Sequence, residues 1–256
     1  GSFPPADMRG LWNGSEVNKG HPVYRHLVRV FPRIAELAAG QNSPYLQLSQ
    51  LSPAQALVFW LRGFYPNQAY PLTNETKPGK RKKFYDFDES RLYAADEYLP
   101  TTRPQTFSKR SEYQAGTFER EYPVYFTAHT MSGLPYVYLG ARCYSTDPSA
   151  SNLPDVSYRA QSMMSKEESI AWPYFTSDPP SNPLWSQRHM APDTFQVIAS
   201  GPDGSYGTAP AAFPLAINTP LRPAAADVVN AKGHADNLTN FASGTLLKAT
   251  DELKSR

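Results

Sequence analysis

The chain has 256 residues and a formal net charge of +2, so it is long enough to bury a core without disulfides, and no global field draws it to nucleic acid or anionic surfaces. Its single cysteine, Cys143, excludes an intramolecular disulfide and a closed cysteine-based zinc centre. Twenty-five prolines and 16 tyrosines beside only 19% charged residues describe short elements joined by ordered loops, an α+β composition rather than a helical bundle.

Residues 3–20 are rich in Pro, Gly, Asn and Ser, which predicts an irregular lead-in, mobile at the N-terminus. The first two residues, Gly1-Ser2, have the form of a tag-removal scar, which suggests trimming at the N-terminus that could have removed a membrane segment. The remaining 21–256 read as one globular head. From Pro22 to Ala38, the residues Val23, Leu27, Val30, Phe31, Ile34 and Leu37 recur at helical spacing, opposite Arg25, Arg29 and Arg33. Pro32 interrupts that pattern and predicts a kink or two short helices. The next segment carries Ser52 as N-cap, Pro53 at the first helical position and Gly63 as the stop, which predicts a helix between them. Its many apolar residues require burial on more than one side.

Three insertions are expected: about 66–121, a polar, Pro-punctuated set of loops and short strands, and about 145–193 and 208–233, long Pro- and Ser-rich loops of weak periodicity. In the first, Phe84-Tyr85-Asp86-Phe87-Asp88 alternates aromatic and acidic residues and predicts a strand. In the second, a short helix is expected near Lys166–Ser169. Residues 122–128, 136–142 and 194–200 are rich in β-branched and aromatic side chains and predict three strands of one antiparallel sheet, with Cys143 packed beside the second.

The stretch most suggestive of a site is Ser200-Gly201-Pro202-Asp203-Gly204-Ser205-Tyr206-Gly207, which leaves the last strand through three glycines. Further on, His234-Ala235-Asp236-Asn237-Leu238-Thr239-Asn240-Phe241 gathers oxygen-bearing side chains before an apolar anchor. Calcium takes about six to eight oxygen ligands from carboxylates, amides, carbonyls and water, so the two segments together could provide such a shell. Taken singly, Asp-Gly and Asp-Asn pairs are also ordinary turn formers that cap their own backbone.

This order of strand, Gly-Pro-Asp-Gly turn and Asp-Asn-Leu-Thr-Asn-Phe segment resembles the C-terminal signature of type II secretion major pseudopilins. In that family an Asp-Asp-Ile-x-Asn-Trp-like segment closes a calcium loop. Together with Ser52–Leu61 and Pro135–Tyr138, the pattern is similar to large pseudopilin-like proteins of planctomycete type. The resemblance implies a pilin-like α+β head, an N-terminal helix region packed on an antiparallel β-sheet with long loop insertions. It also implies a calcium shell from the carboxylates of Asp203 and Asp236, from Asn237, and from the backbone carbonyls of Ser200 and Ser205. Two departures stand out: Asn237 replaces a second Asp, and 28 residues separate Gly207 from Asp236.

The implied function is structural. A non-enzymatic subunit would polymerise with other pilin-like subunits, anchored in the inner membrane by an N-terminal helix before assembly, its head periplasmic or at the cell surface, with no nucleic-acid partner. A different class, a glycan- or protein-binding module using Trp172, Tyr174 and Trp185, would show exposed aromatic loops. The histidines His21, His26, His129, His189 and His234 lack the spacing of a zinc site, and no nucleophile elbow or phosphate loop is present. The basic run Lys77–Lys83 reads as a solvated loop.

Overall fold

The computed structural model describes residues 3–73, 81–96, 104–109, 122–127, 133–140, 158–161, 168–171, 173, 193–201, 203–207 and 238–240. They form a mixed α+β arrangement of three α-helices and small antiparallel sheets. Each helix begins the same way, with a side chain capping the first turn and proline following it: His21 before α1 (Pro22–Val30), Ser43 before α2 (Pro44–Leu48) and Ser52 before α3 (Pro53–Arg62). Proline fits that first position because its missing N–H would have no helical partner there.

Helix α3 forms as expected. Ser52 Oγ accepts from the Gln55 amide at 3.3 Å while Gln55 Oε1 accepts from the Ser52 amide at 3.1 Å, a reciprocal capping box. Gly63 ends the helix at φ 77° and ψ −169°, a backbone state that L side chains hardly adopt. A Cβ there would stand 1.9 Å from the Lys82 carbonyl oxygen, so glycine also admits the chain that passes behind it. Helix α1, by contrast, is shorter than the apolar pattern predicted. It stops at Val30, because Pro32 disfavours helical backbone at Phe31, which lies at φ −125° and ψ 78°. No second helix follows within 31–38.

Helix α2 was not anticipated, nor were the strands β1 (Leu92–Ala95) and β2 (Phe107–Lys109) individually resolved within the first insertion. The Phe84–Asp88 alternation forms no strand; its backbone is tied to α3 instead, with Phe84 and Tyr85 amides both donating to the Leu61 carbonyl. The predicted strands appear as β3 (Val124–Tyr125), β4 (Val137–Gly140) and β7 (Phe195–Ala199). They do not form one sheet. β3 joins β1 and β2 in the order β2-β1-β3, while β4 pairs with β7 and β7 with β8 (Leu238–Thr239). A bridge between Phe126 and Pro135 connects the two sheets.

The second insertion, expected to be loop with a short helix, contains the hairpin β5 (Tyr158–Gln161) and β6 (Glu168–Ala171). Ser169 and Glu168 are therefore extended rather than helical. Alternate side chains of β5 are buried, and contact with a distant core overrides the local helical preference at Glu168. Gln105 ties this hairpin to the first sheet by a parallel bridge to Ala160. Cys143 and the third insertion lie outside the described residues.

Helix α3 packs against β3 and β4. One core, including Ala54, Val124, Phe126, Val137, Leu139, Tyr158, Ile198 and Tyr206, lies between α3 and the strands. A second collects Ala56, Phe59 and Trp60 of α3 with Val23 and Leu27 of α1, Tyr45 and Leu48 of α2, and Met8 and Leu11 of the lead-in. The lead-in is thus irregular, as composition predicted, but tied down: Ala6, Met8 and Leu11 are essentially fully buried. Trp60 Nε1 donates to the Pro5 carbonyl at 2.8 Å and the Tyr138 hydroxyl to the Pro4 carbonyl at 2.5 Å, so proline carbonyls without helical or sheet partners are satisfied by ring donors.

Candidate functional site

β7 runs out of the core into the turn that the sequence singled out. Its residues Ile198 and Ala199 are buried, and antiparallel pairing sets Ile198 opposite Thr239 and Ala199 opposite Leu238. The C-terminal segment is therefore brought alongside the strand that feeds the turn. Asn240 extends this pairing beyond β8. Its amide donates to the Val197 carbonyl at 3.3 Å, its Oδ1 accepts from the Val197 amide at 2.7 Å, and its Nδ2 donates to the Phe195 carbonyl at 3.3 Å. A side-chain amide thus imitates one more step of ladder.

The turn itself is closed by local hydrogen bonds. The Gly204 amide donates to the Gly201 carbonyl at 3.0 Å, and Gly204 takes φ 73°, which glycine tolerates. Asp203 Oδ1 accepts from the Ser205 amide at 2.9 Å, an Asx-turn, and Ser205 Oγ accepts from the Gly207 amide at 2.9 Å. Asp203 is exposed and is the one charged residue in the stretch 195–207.

β6 holds the turn from behind. Ser169 Oγ accepts from the Tyr206 amide at 2.6 Å, donates to the Gly207 carbonyl at 3.0 Å, and lies 3.0 Å from Ser205 Oγ. With its one proton committed to Gly207, Ser169 leaves the Ser205 hydroxyl as donor in their mutual bond. The Ile170 amide adds a second bond to the Gly207 carbonyl at 3.1 Å. Tyr206 is fully buried and its hydroxyl donates to the Pro135 carbonyl.

The expected site residues fare differently. Ser200 is buried, and its hydroxyl is used internally, accepting from the Leu134 amide at 3.0 Å. Ser205 and Asp203 sit on the turn as the sequence suggested. Asp236 and Asn237 lie outside the described residues, as do Trp172, Tyr174 and Trp185. Among the described residues, no three His, Cys, Asp or Glu side chains converge as metal ligands, so the described part of the turn contributes one carboxylate, Asp203, to any cation. Sequence reading missed Ser169 and Asn240. Asn240 stood inside the quoted motif without a role, whereas Ser169 sat in a stretch expected to be helical and carried no signal.

Among the described residues, no helix is long and apolar enough to cross a membrane. Comparison of the chain with protein-family models, with curated proteins and with solved structures returns no match.

Proposed function

We propose that this chain is the extracytoplasmic head of a pseudopilin-like structural subunit, with a pilin-like arrangement in which the helical region packs on the antiparallel strands, and with a calcium loop at its C-terminal turn. The observation that supports it is the pairing of β8 on β7. Asp203 lies just beyond β7, and Leu238, next in sequence after Asp236 and Asn237, is placed opposite Ala199. The resemblance requires that juxtaposition, and a separation of 28 residues between Gly207 and Asp236 did not guarantee it.

In this reading Asp203 and Asp236 supply carboxylates, Asn237 an amide oxygen, and Ser200 and Ser205 backbone carbonyls. The ion would cross-link the turn to the segment entering β8. It would act on stability: a ligand bound only by the folded state adds RT ln(1 + [L]/Kd), about 2.7 kcal/mol when free ion exceeds Kd a hundredfold. Assembly would run through an apolar helix N-terminal to this head and through contacts between heads.

The test is thermal unfolding in chelator and then in calcium, beside Asp203→Ala and Asp236→Ala. The expected result is a calcium-dependent rise in midpoint that either substitution abolishes. An unchanged midpoint in the unsubstituted protein would remove the calcium loop. The structural role is tested separately, by seeking filaments or subunit cross-links that depend on an upstream apolar helix.

A further inference from the structure

Between residues 17 and 35 the chain carries Lys19, Arg25, Arg29 and Arg33 and no acidic residue. Helix α1 turns Val23 and Leu27 into the core, and leaves Arg25 and Arg29 exposed, with Arg33 exposed just beyond its end. Val30, in its last turn, is 49% exposed.

Beside this end of α1 lies a second exposed segment. Phe31 meets Phe64 edge to face at 4.9 Å, and Phe64 meets Phe84 at 6.3 Å, so one ring separates the two. The backbone of 82–85 is fixed. The Lys82 amide donates to the Phe64 carbonyl at 2.8 Å, the Phe84 and Tyr85 amides donate to the Leu61 carbonyl, and Gly63 lets Lys82 approach as no other residue would. On that fixed backbone Lys82 and Lys83 are exposed, and Phe84 is 65% and Tyr85 48% exposed. A rigid backbone that holds aromatic rings in water, rimmed by cations, marks an interaction surface rather than a loop that collapsed badly.

We propose that this face, built from Arg29, Val30 and Arg33 on one side of Phe64 and from Lys82, Lys83 and Phe84 on the other, docks on an anionic phospholipid bilayer. Charge complementarity carries the choice of partner. Basic side chains gain attraction at an anionic leaflet, and the exposed Phe84 and Val30 supply the apolar contact that an interfacial site adds to it. Single-stranded nucleic acid fits less well: Asp86, Asp88 and Glu89, all exposed, follow the aromatic ledge at once and interrupt a path for successive phosphates. The Lys83–Asp86 ion pair at 2.8 Å is exposed on both sides and screened by solvent. This inference does not rest on the pilin-like reading, since a head with any extracytoplasmic or cytoplasmic role would show the same binding.

The experiment is co-sedimentation of the protein with vesicles of phosphatidylglycerol and phosphatidylcholine, with pure phosphatidylcholine vesicles and a single-stranded oligonucleotide as parallel arms. Binding is expected to the anionic vesicles alone and to weaken as salt is raised. The double variant Lys82→Gln, Lys83→Gln is expected to bind on the order of thirtyfold more weakly. Phe84→Ser is expected to lose about tenfold, with its salt dependence unchanged. Arg33→Gln, on the α1 side of the face, is expected to weaken binding about fivefold, and thermal midpoints check that each protein folds. Failure to bind anionic vesicles, undiminished binding by the folded lysine variant, or binding of the oligonucleotide without the vesicles would each overturn the proposal.

Discussion

Protonation of one histidine is expected to loosen the junction between the lead-in and α1. His21 caps the helix through Nδ1, which accepts from the Val23 amide at 3.2 Å, and its Nε2 lies 2.9 Å from the Arg9 carbonyl oxygen. A carbonyl only accepts, so Nε2 carries the proton and Nδ1 is the bare nitrogen of a neutral ring. Adding a proton at Nδ1 points a donor at a donor and removes the cap. Burial holds the His21 pKa below its ordinary value of 6.5, against the opposing pull of the Arg9 carbonyl and the Asp7 carboxylate. The sign follows: the unfolded chain takes up the proton more readily than the folded one. The stabilisation is therefore complete above about pH 6.5 and is lost as pH falls below it, at no more than about 1.4 kcal/mol per unit for one proton. At neutral pH, His21→Ala removes a cap and a hydrogen bond, together about 2 kcal/mol. His21→Asn restores a capping oxygen on a shorter, non-titrating side chain and costs about 1 kcal/mol. Urea unfolding at steps from pH 7.5 to 5 measures both. The wild-type curve should fall faster on acidification than that of His21→Asn, so that the two converge. Parallel curves, or a wild type that gains stability relative to the variant on acidification, would refute the tautomer assignment and the role given to the ring.

Three further substitutions probe the packing around the helices and the turn. Gly63→Ala forces a Cβ to within 1.9 Å of the Lys82 carbonyl at a φ of 77°, and a loss of about 3 kcal/mol or more is expected in denaturant unfolding. Glu36 is 6% exposed and its carboxylate accepts from the Leu72 amide at 2.7 Å, the Thr73 amide at 3.1 Å and the Thr73 hydroxyl at 2.9 Å. Glu36→Ala should cost about 3 kcal/mol and expose the chain near Leu72 to limited proteolysis. Asn240→Ala removes the side-chain step of ladder beyond β8; a loss of about 1 kcal/mol and faster hydrogen exchange at the Val197 amide are expected, with the midpoint of the β4–β7 pairing little changed.

Local signals carried well where a single residue type satisfies a backbone need within one turn. The α3 boundaries were legible because Ser52 and Gln55 satisfy each other's amides and Gly63 adopts a state closed to other residues. The same logic was present and unread at α1 and α2: His21-Pro22 and Ser43-Pro44 repeat the cap-and-proline pattern, but histidine is a rare cap and α2 has only five residues. Apolar periodicity overran at α1, where Pro32 acts on Phe31 and stops the helix before the pattern ends. Aromatic–acidic alternation at Phe84–Asp88 misled in the other direction, since the backbone there pairs with the end of α3, Phe84 and Tyr85 stay exposed and only Phe87 turns inward.

The amino-acid sequence by itself determined the mixed α+β class, the capped helix over 53–62, the strands β3, β4 and β7, and the Asp203-Gly204 turn with its self-capping side chains. The helix and the turn rest on interactions within a few residues, and the strands were legible from their β-branched and aromatic content, which the local sequence sets. Only the tertiary structure decided that β5 and β6 form a hairpin, that β1 pairs with β3, that the lead-in is buried, and that β8 lies on β7 with Ser169 behind the turn. Those strands are two to five residues long, and a segment so short gains stability only when a partner distant in sequence covers its hydrogen bonds and its apolar face.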